Sequence, residues 1–159
     1  MIEVRPLREE DRRWAVEVET ESWGEPFAAR RGELVDLAAL PAMVAFLDGE
    51  RVGLAAYEIR GGECEVVTIT SLAEGRGVGR ALLDAVREAT LEAGCRRLWL
   101  VTTNDNTHAL RFFQRWGLDL VALHRNAVND ARRTVKPSLP ERGDDDIPLA
   151  HELELELIL

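Results

Sequence analysis

Residues 64–83 read CEVVTITSLAEGRGVGRALL, a β-branched run followed by three glycines at alternate positions and then an apolar, helix-like stretch. The run Cys64–Leu72 has the composition of a strand. From Val78 to Ala93 the apolar residues Val78, Ala81, Leu82, Ala85, Val86 and Ala89 recur at helical spacing, and Gly94 supplies a stop. Gly75, Gly77 and Gly79 therefore stand at a strand-to-helix turn, although glycine inside a helix costs about 0.5–1 kcal/mol relative to alanine. Two readings explain them. A glycine turn lets a helix pack closely on its strand. Alternatively, the free N–H groups and positive dipole end of the helix bind an anion, with no Cβ in the way and with Arg76 and Arg80 adding charge. Spacing excludes two phosphate-binding motifs: G-x-G-x-x-G needs glycine where Arg80 stands, and a Walker A loop needs Gly-Lys-Ser/Thr.

Working outward, Met1–Leu7 alternates as a first strand, and Arg8–Glu21 reads as a helix with Trp14, Ala15, Val16 and Val18 as apolar positions. Glu25–Gly32 reads as a loop and Glu33–Leu40 as a short helix. Ala42–Leu47 and Arg51–Arg60 are strands joined by Asp48-Gly49, a strong hairpin signal. Gly61-Gly62 makes the next reversal. Downstream of the glycine stretch come a strand at Arg97–Thr103, a helix at Asn106–Trp116 ended by Gly117, and a strand at Leu118–Leu123. Asn126–Lys136 is ambiguous, Pro137–Pro148 is a loop, and His151–Leu159 alternates as a closing strand. This order predicts a mixed α/β (α+β) domain spanning residues 1–159, with helical crossovers between the later strands.

Composition narrows the function. A net charge of −9 argues against general nucleic-acid binding. No apolar run approaches the ~20 residues that span a bilayer, and MIEVRPLREEDRRW carries charges where a signal peptide needs its apolar run. Cys64 and Cys95 are too few and too far apart for a disulfide framework or a metal site, so a cytoplasmic location and no metal are expected. Charge is uneven: His124–Lys136 is basic, whereas Glu141–Glu156 carries seven acids against Arg142 alone.

A second pattern, NDNTHALRFFQRWGL at residues 104–118, follows a strand about 30 residues downstream, as the first does. Together the two resemble the Gcn5-related N-acetyltransferase (GNAT) superfamily. Its Gln/Arg-x-x-Gly-x-Gly/Ala signature matches Glu74-Gly75-Arg76-Gly77-Val78-Gly79, and its later Asn-x-x-Ala pattern matches Asn106, Ala109, Phe113, Gly117 and Leu118. The resemblance covers residues 1–123 well and the remainder less specifically. It implies a mostly antiparallel central sheet of about seven strands flanked by helices. It also implies an acetyl-CoA-dependent N-acetyltransferase moving an acetyl group to a primary amine of a small molecule or peptide.

By the same resemblance, the backbone of Arg76, Gly77, Val78, Gly79 and Arg80 holds the coenzyme A pyrophosphate, with Gly75 shaping the turn. Ile69, Thr70 and Ser71 run beside the pantetheine arm, which Asn106 also contacts; a simple helix N-cap is the other reading of Asn106. A backbone N–H of the strand at 64–72 stabilises the oxyanion. Phe113 replaces the tyrosine that protonates the leaving thiolate in many relatives, and phenylalanine has no proton to give. Water, Ser71 or Thr103 is then the donor, or the thiolate leaves unprotonated. Glu74 departs from the pattern too, and its carboxylate is expected to face solvent.

Glu63 and Glu65 are candidate bases, expected to share a face with Val67 and Ile69. His124 is another candidate. Ordinary strand carboxylates are the alternative reading of the two glutamates. Arg125, Arg132 and Lys136 suit either an acidic group on the acceptor or a solvated helix, and the segment 124–157 is expected to fold over the acceptor groove. Many relatives dimerise, and an exposed end strand offers a way to pair. The competing functional reading is a catalytically weak acyl-CoA-binding sensor or partner-binding module, which Phe113 favours.

Overall fold

The fold is that of a computed structural model describing residues 1–25 and 27–159. Its elements in chain order are β1 (Ile2–Pro6), α1 (Arg12–Trp23), β2 (Phe27–Arg30), β3 (Glu33–Asp36), β4 (Ala42–Leu47), β5 (Glu50–Arg60), β6 (Glu63–Ser71), α2 (Val78–Glu92), β7 (Arg97–Thr103), α3 (Thr107–Trp116), β8 (Asp119–His124), α4 (Ala127–Thr134) and β9 (Glu152–Ile158). Seven strands form one mixed, mostly antiparallel sheet in the order β1-β4-β5-β6-β7-β9-β8, and β2-β3 pair separately. No helix among the described residues is long and apolar enough to cross a membrane.

The chain divides into two compact units. The first comprises Met1–Phe27, Asp36–Leu98 and the last two residues. Within it β1, β4, β5 and β6 are antiparallel neighbours. One cluster of the core joins α1 to the sheet through Val18, Ala42, Val44, Leu54 and Ala56, with Leu7, Trp14, Ala15, Leu40 and Phe46 packed against them. Val16, expected among the apolar positions, is instead exposed. On α2 the fully buried apolar residues are Val78, Leu82, Leu83 and Val86; each such side chain contributes about 1.5–3 kcal/mol by leaving water.

Charge also holds this unit together. Asp11, fully buried just before α1, accepts from Arg5 Nη1 at 2.6 Å, Arg51 Nε at 2.9 Å and the Arg8 N–H at 2.8 Å. These bonds, led by that from Arg5, hold its carboxyl well below the usual carboxylate range. The Arg5 guanidinium in turn lies 4.6 Å from the centre of the Phe46 ring.

The second unit comprises Ala28–Val35 and Trp99–Leu157. Here the expected loop and helix at 25–40 are overturned. Residues 27–30 and 33–36 are strands, and only Leu37–Ala39 makes a single 3-10 turn; Pro26 lies outside the described residues. The reason is a two-residue turn at Arg31-Gly32, both at positive φ (52° and 77°). Tertiary bonds anchor it: the Arg31 N–H donates to Glu152 Oε1 at 2.9 Å and its guanidinium to Glu154 Oε1 at 2.7 Å. The ambiguous 126–136 stretch becomes α4. Arg132 spends its guanidinium on the carbonyls of Leu139, Pro140 and Leu149, which folds residues 137–149 back onto that helix.

Candidate functional site

The glycine turn lies in the first unit. Gly75 and Gly77 both take positive φ (72° and 81°), and Gly77 is the residue from which α2 starts. No side chain among the described residues caps this start. Glu74, Arg76 and Arg80 are exposed, and neither arginine has an ion-pair partner among the described residues. The result is a 15-residue helix whose first N–H groups and dipole end are left to solvent, beside two unneutralised cations.

Close packing does not account for the turn. Among the described residues, a Cβ on Gly75 would meet no heavy atom within 4 Å, and one on Gly77 would meet only Ile2 Cδ1 at 4.0 Å. The close strand–helix approach belongs to Gly53 of β5, where a Cβ would fall 2.4 Å from Val78 Cγ1. Gly75 and Gly77 supply the left-handed backbone and open space above it.

Strand β6 leads into this turn. Ser71, Thr70 and Ile69 face Gly53, Leu54 and Ala55 of β5. The register then slips: Thr68 faces Ala56, but Val66 faces Tyr57, so Val67 is an extra residue. This corrects the expected alternation. Glu63 and Glu65 lie on the side of Thr68, not of Ile69, because the bulge resets the pleat. Glu65 is 5% exposed. Glu63 is half-buried and holds ion pairs to Arg96 and Arg97, at 3.3 and 3.0 Å.

In the second unit, Asn106 is the N-cap of α3: its Oδ1 accepts the Ala109 N–H at 3.2 Å. Phe113 is buried, its ring 5.4 Å from that of Phe112. His124 Nε2 lies 2.8 Å from Glu154 Oε1, the same oxygen that Arg31 contacts. Burial pushes the Glu152 carboxyl above its ordinary range, against the Arg31 N–H bond and the nearby charges of His124, Arg31 and Arg30. Arg125 is exposed, whereas Lys136 is buried and Arg132 is occupied as described.

One polar residue in the first unit escaped sequence reading. Glu19 of α1 is 3% exposed, and its Oε1 accepts from the Thr68 hydroxyl at 2.9 Å. Desolvation raises its carboxyl above the ordinary range, opposed by hydrogen bonds from Thr68 and Trp23. The available signal was its position: Glu19 follows Ala15 by four residues, on the apolar side of the helix.

Among the described residues no group of three or more His, Cys, Asp or Glu is placed to hold a metal ion. Cys64 and Cys95 are buried free thiols, and burial pushes Cys64 up to about 11.

This arrangement can be set beside known proteins. The model of the Acetyltransferase (GNAT) family matches residues 4–118. The chain is 37% identical over 132 residues to the uncharacterized protein YdhI of Bacillus subtilis (strain 168), covering 82% of each. It is 42% identical over 108 residues to YxbD of the same organism, also uncharacterized, covering 68% of this chain and 67% of that one. Among solved structures, a GNAT family acetyltransferase from Elizabethkingia anophelis with acetyl-CoA bound superposes with a TM-score of 0.73 at 16% identity, over 99% of this chain and 98% of that one. That likeness is one of fold; the family match and the identity to YdhI decide membership, and the chain belongs to the GNAT family of acetyltransferases.

Proposed function

We propose that the chain, as a single domain over residues 1–159, is an acetyl-CoA-dependent N-acetyltransferase acting on a primary amine of a small molecule or peptide. The observation that carries this is the start of α2: uncapped, turned by left-handed glycines, open above Gly75 and flanked by unneutralised Arg76 and Arg80. Backbone N–H groups there suit the diphosphate of coenzyme A, with no Cβ between them and the anion. In this reading the backbone of Arg76, Gly77, Val78, Gly79 and Arg80 holds the diphosphate. Ile69, Thr70, Ser71, Asn106 and Phe113 serve the rest of the coenzyme.

The reaction forms one C–N bond and breaks one C–S bond. The amine nitrogen attacks the thioester carbonyl, the thiolate departs, and the proton lost by nitrogen balances the one gained by sulfur. Positioning supplies much of the rate. A base is needed because an alkylamine is mostly protonated at neutral pH. We assign that role to Glu65, a buried carboxyl one turn of the pleat from the β6 bulge, rather than to Glu63, held by two arginines, or to His124, engaged with Glu154. Glu65→Gln should lower kcat at least tenfold at unchanged acetyl-CoA affinity. His124→Gln should leave kcat within twofold.

Buried Phe113 favours a second reading, an acyl-CoA-binding sensor without turnover. Calorimetric titration of acetyl-CoA, followed by assay of free thiol release across an amine panel, separates the two. Binding with turnover supports the enzyme; binding without turnover on any amine supports the sensor; no binding sinks both. We further propose a homodimer through the edge strand β8, which exposes Leu120, Val121 and Leu123. A cytoplasmic location is part of the proposal, supported by the two free thiols.

A further inference from the structure

Within the first unit, α1 is tied to the β6 bulge at one point. Val67 is the extra residue of the bulge, and Thr68 beside it faces Ala56 of β5. Thr68 is 3% exposed, and its hydroxyl donates to Glu19 Oε1 at 2.9 Å. Trp23, one turn further along α1, also donates to that carboxyl. Ala56 belongs to the cluster that joins α1 to the sheet, and its short side chain leaves room for the glutamate to reach the strand.

Packing alone gives no reason for a carboxyl at this place. Burial weighs against its charged form, and an apolar residue at 19 would extend the face that Ala15 and Val18 present to the core. The bulge supplies a reason. A bulge leaves one residue out of the ladder and bends its strand, so a side-chain bond next to it fixes where the extra residue sits. That place sets the side of the sheet to which the preceding residues turn. With the bulge between Val66 and Thr68, Glu65 takes the side of Thr68; in an unbroken pleat it would take that of Ile69.

We propose that Glu19 is a positioning residue for acetyl transfer: by holding the Thr68 hydroxyl it fixes the β6 bulge, and the bulge aims Glu65, the base assigned above. Glu19, 3% exposed, acts only through Thr68. Misplacing a reacting group by about 1 Å can cost ~100-fold in rate, so this bond sets kcat without touching the coenzyme turn. The catalytic consequence rests on the N-acetyltransferase reading; the hold on the bulge does not.

Four variants of the full chain test it. Glu19→Gln and Thr68→Ser keep the acceptor oxygen and the hydroxyl, whereas Glu19→Met and Thr68→Val each remove one at similar size. The two that cut the bond should lose at least tenfold in kcat, with acetyl-CoA affinity unchanged within twofold by calorimetry. The two conservative variants should stay within twofold in both. Glu19→Met combined with Thr68→Val should be no slower than the slower single variant, because both remove the same bond. Hydrogen exchange gives a readout that needs no turnover. Relative to Val44 of β4, the amides of residues 65–68 should exchange at least tenfold faster when the bond is cut and at the parent rate in the conservative pair. Thr68→Val decides alone where Glu19→Met does not fold. Parent-like kcat or parent-like exchange with the bond cut, a loss in Glu19→Gln equal to that in Glu19→Met, or additive losses in the double variant overturn the proposal. A parent chain that turns over no amine sinks the transferase reading, and the exchange rates then decide the hold on the bulge by themselves.

Discussion

Gly53 of β5 lies directly under Val78 of α2, so close that a Cβ on Gly53 would stand 2.4 Å from Val78 Cγ1 and 3.0 Å from Leu82 Cδ1. The glycine that seats the helix is thus some 20 residues upstream of the glycines that begin it. Gly53→Ala should destabilise by about 1–3 kcal/mol through overpacking, read as a lower urea midpoint. It should also weaken acetyl-CoA binding by displacing the start of α2. Val78→Ala in the same chain should restore part of both; no loss in the single variant would show that α2 shifts freely.

At Gly77 the demand is for backbone conformation and open space. Gly77→Ala should cost about 1–2 kcal/mol for its left-handed backbone. Gly77→Glu adds a carboxylate beside the free N–H groups of the helix start, and calorimetry should detect no acetyl-CoA binding in the folded variant. Retained affinity would show that the turn has another purpose.

Asp11 and Glu19 should give opposite pH signatures. The Asp11 carboxyl is held low by Arg5, so its contribution is present above the ordinary carboxylate range (about 3.9) and is lost as pH falls through and below it. Asp11→Asn should therefore cost about 1.5–3 kcal/mol at pH 7 and much less at pH 2. Glu19 is raised by desolvation, so the unfolded chain releases that proton first, and stability falls as pH climbs from about 4.3 through the higher folded value. Glu19→Gln should raise Tm more at pH 8 than at pH 4. Thermal unfolding across pH checks both, and like-signed profiles would refute the assignment.

Asn106 has an established structural task and a proposed binding one. Asn106→Ala should lose about 1 kcal/mol with the cap, whereas Asn106→Asp keeps an acceptor oxygen for the Ala109 N–H. A rise in the acetyl-CoA KM for both variants, with stability lost only in the alanine variant, separates the coenzyme contact from the cap. An unchanged KM in the aspartate variant would leave the cap alone.

Local chemistry determined much of the design. Helical spacing after Val78 and after Asn106, the turn signals Asp48-Gly49 and Gly61-Gly62, and the glycine pattern itself are properties of neighbouring residues. Outside residues 25–40 the strand and helix order was therefore legible in the sequence, as was the candidate coenzyme turn, and the two motifs together carried the family resemblance. Tertiary structure decided what depends on distant partners. Arg31-Gly32 makes a hairpin turn where a loop followed by a short helix was expected, because Arg31 is anchored by Glu152 and Glu154, more than 120 residues away. The β6 bulge, visible only against β5, turns Glu65 to the side of Thr68. The strand register brings Thr68 opposite Ala56, and the packing of α1 buries Glu19 against that hydroxyl. Spacing along the chain reads periodicity within an element, whereas the burial and partners of a charge are set by whichever elements the fold brings against it.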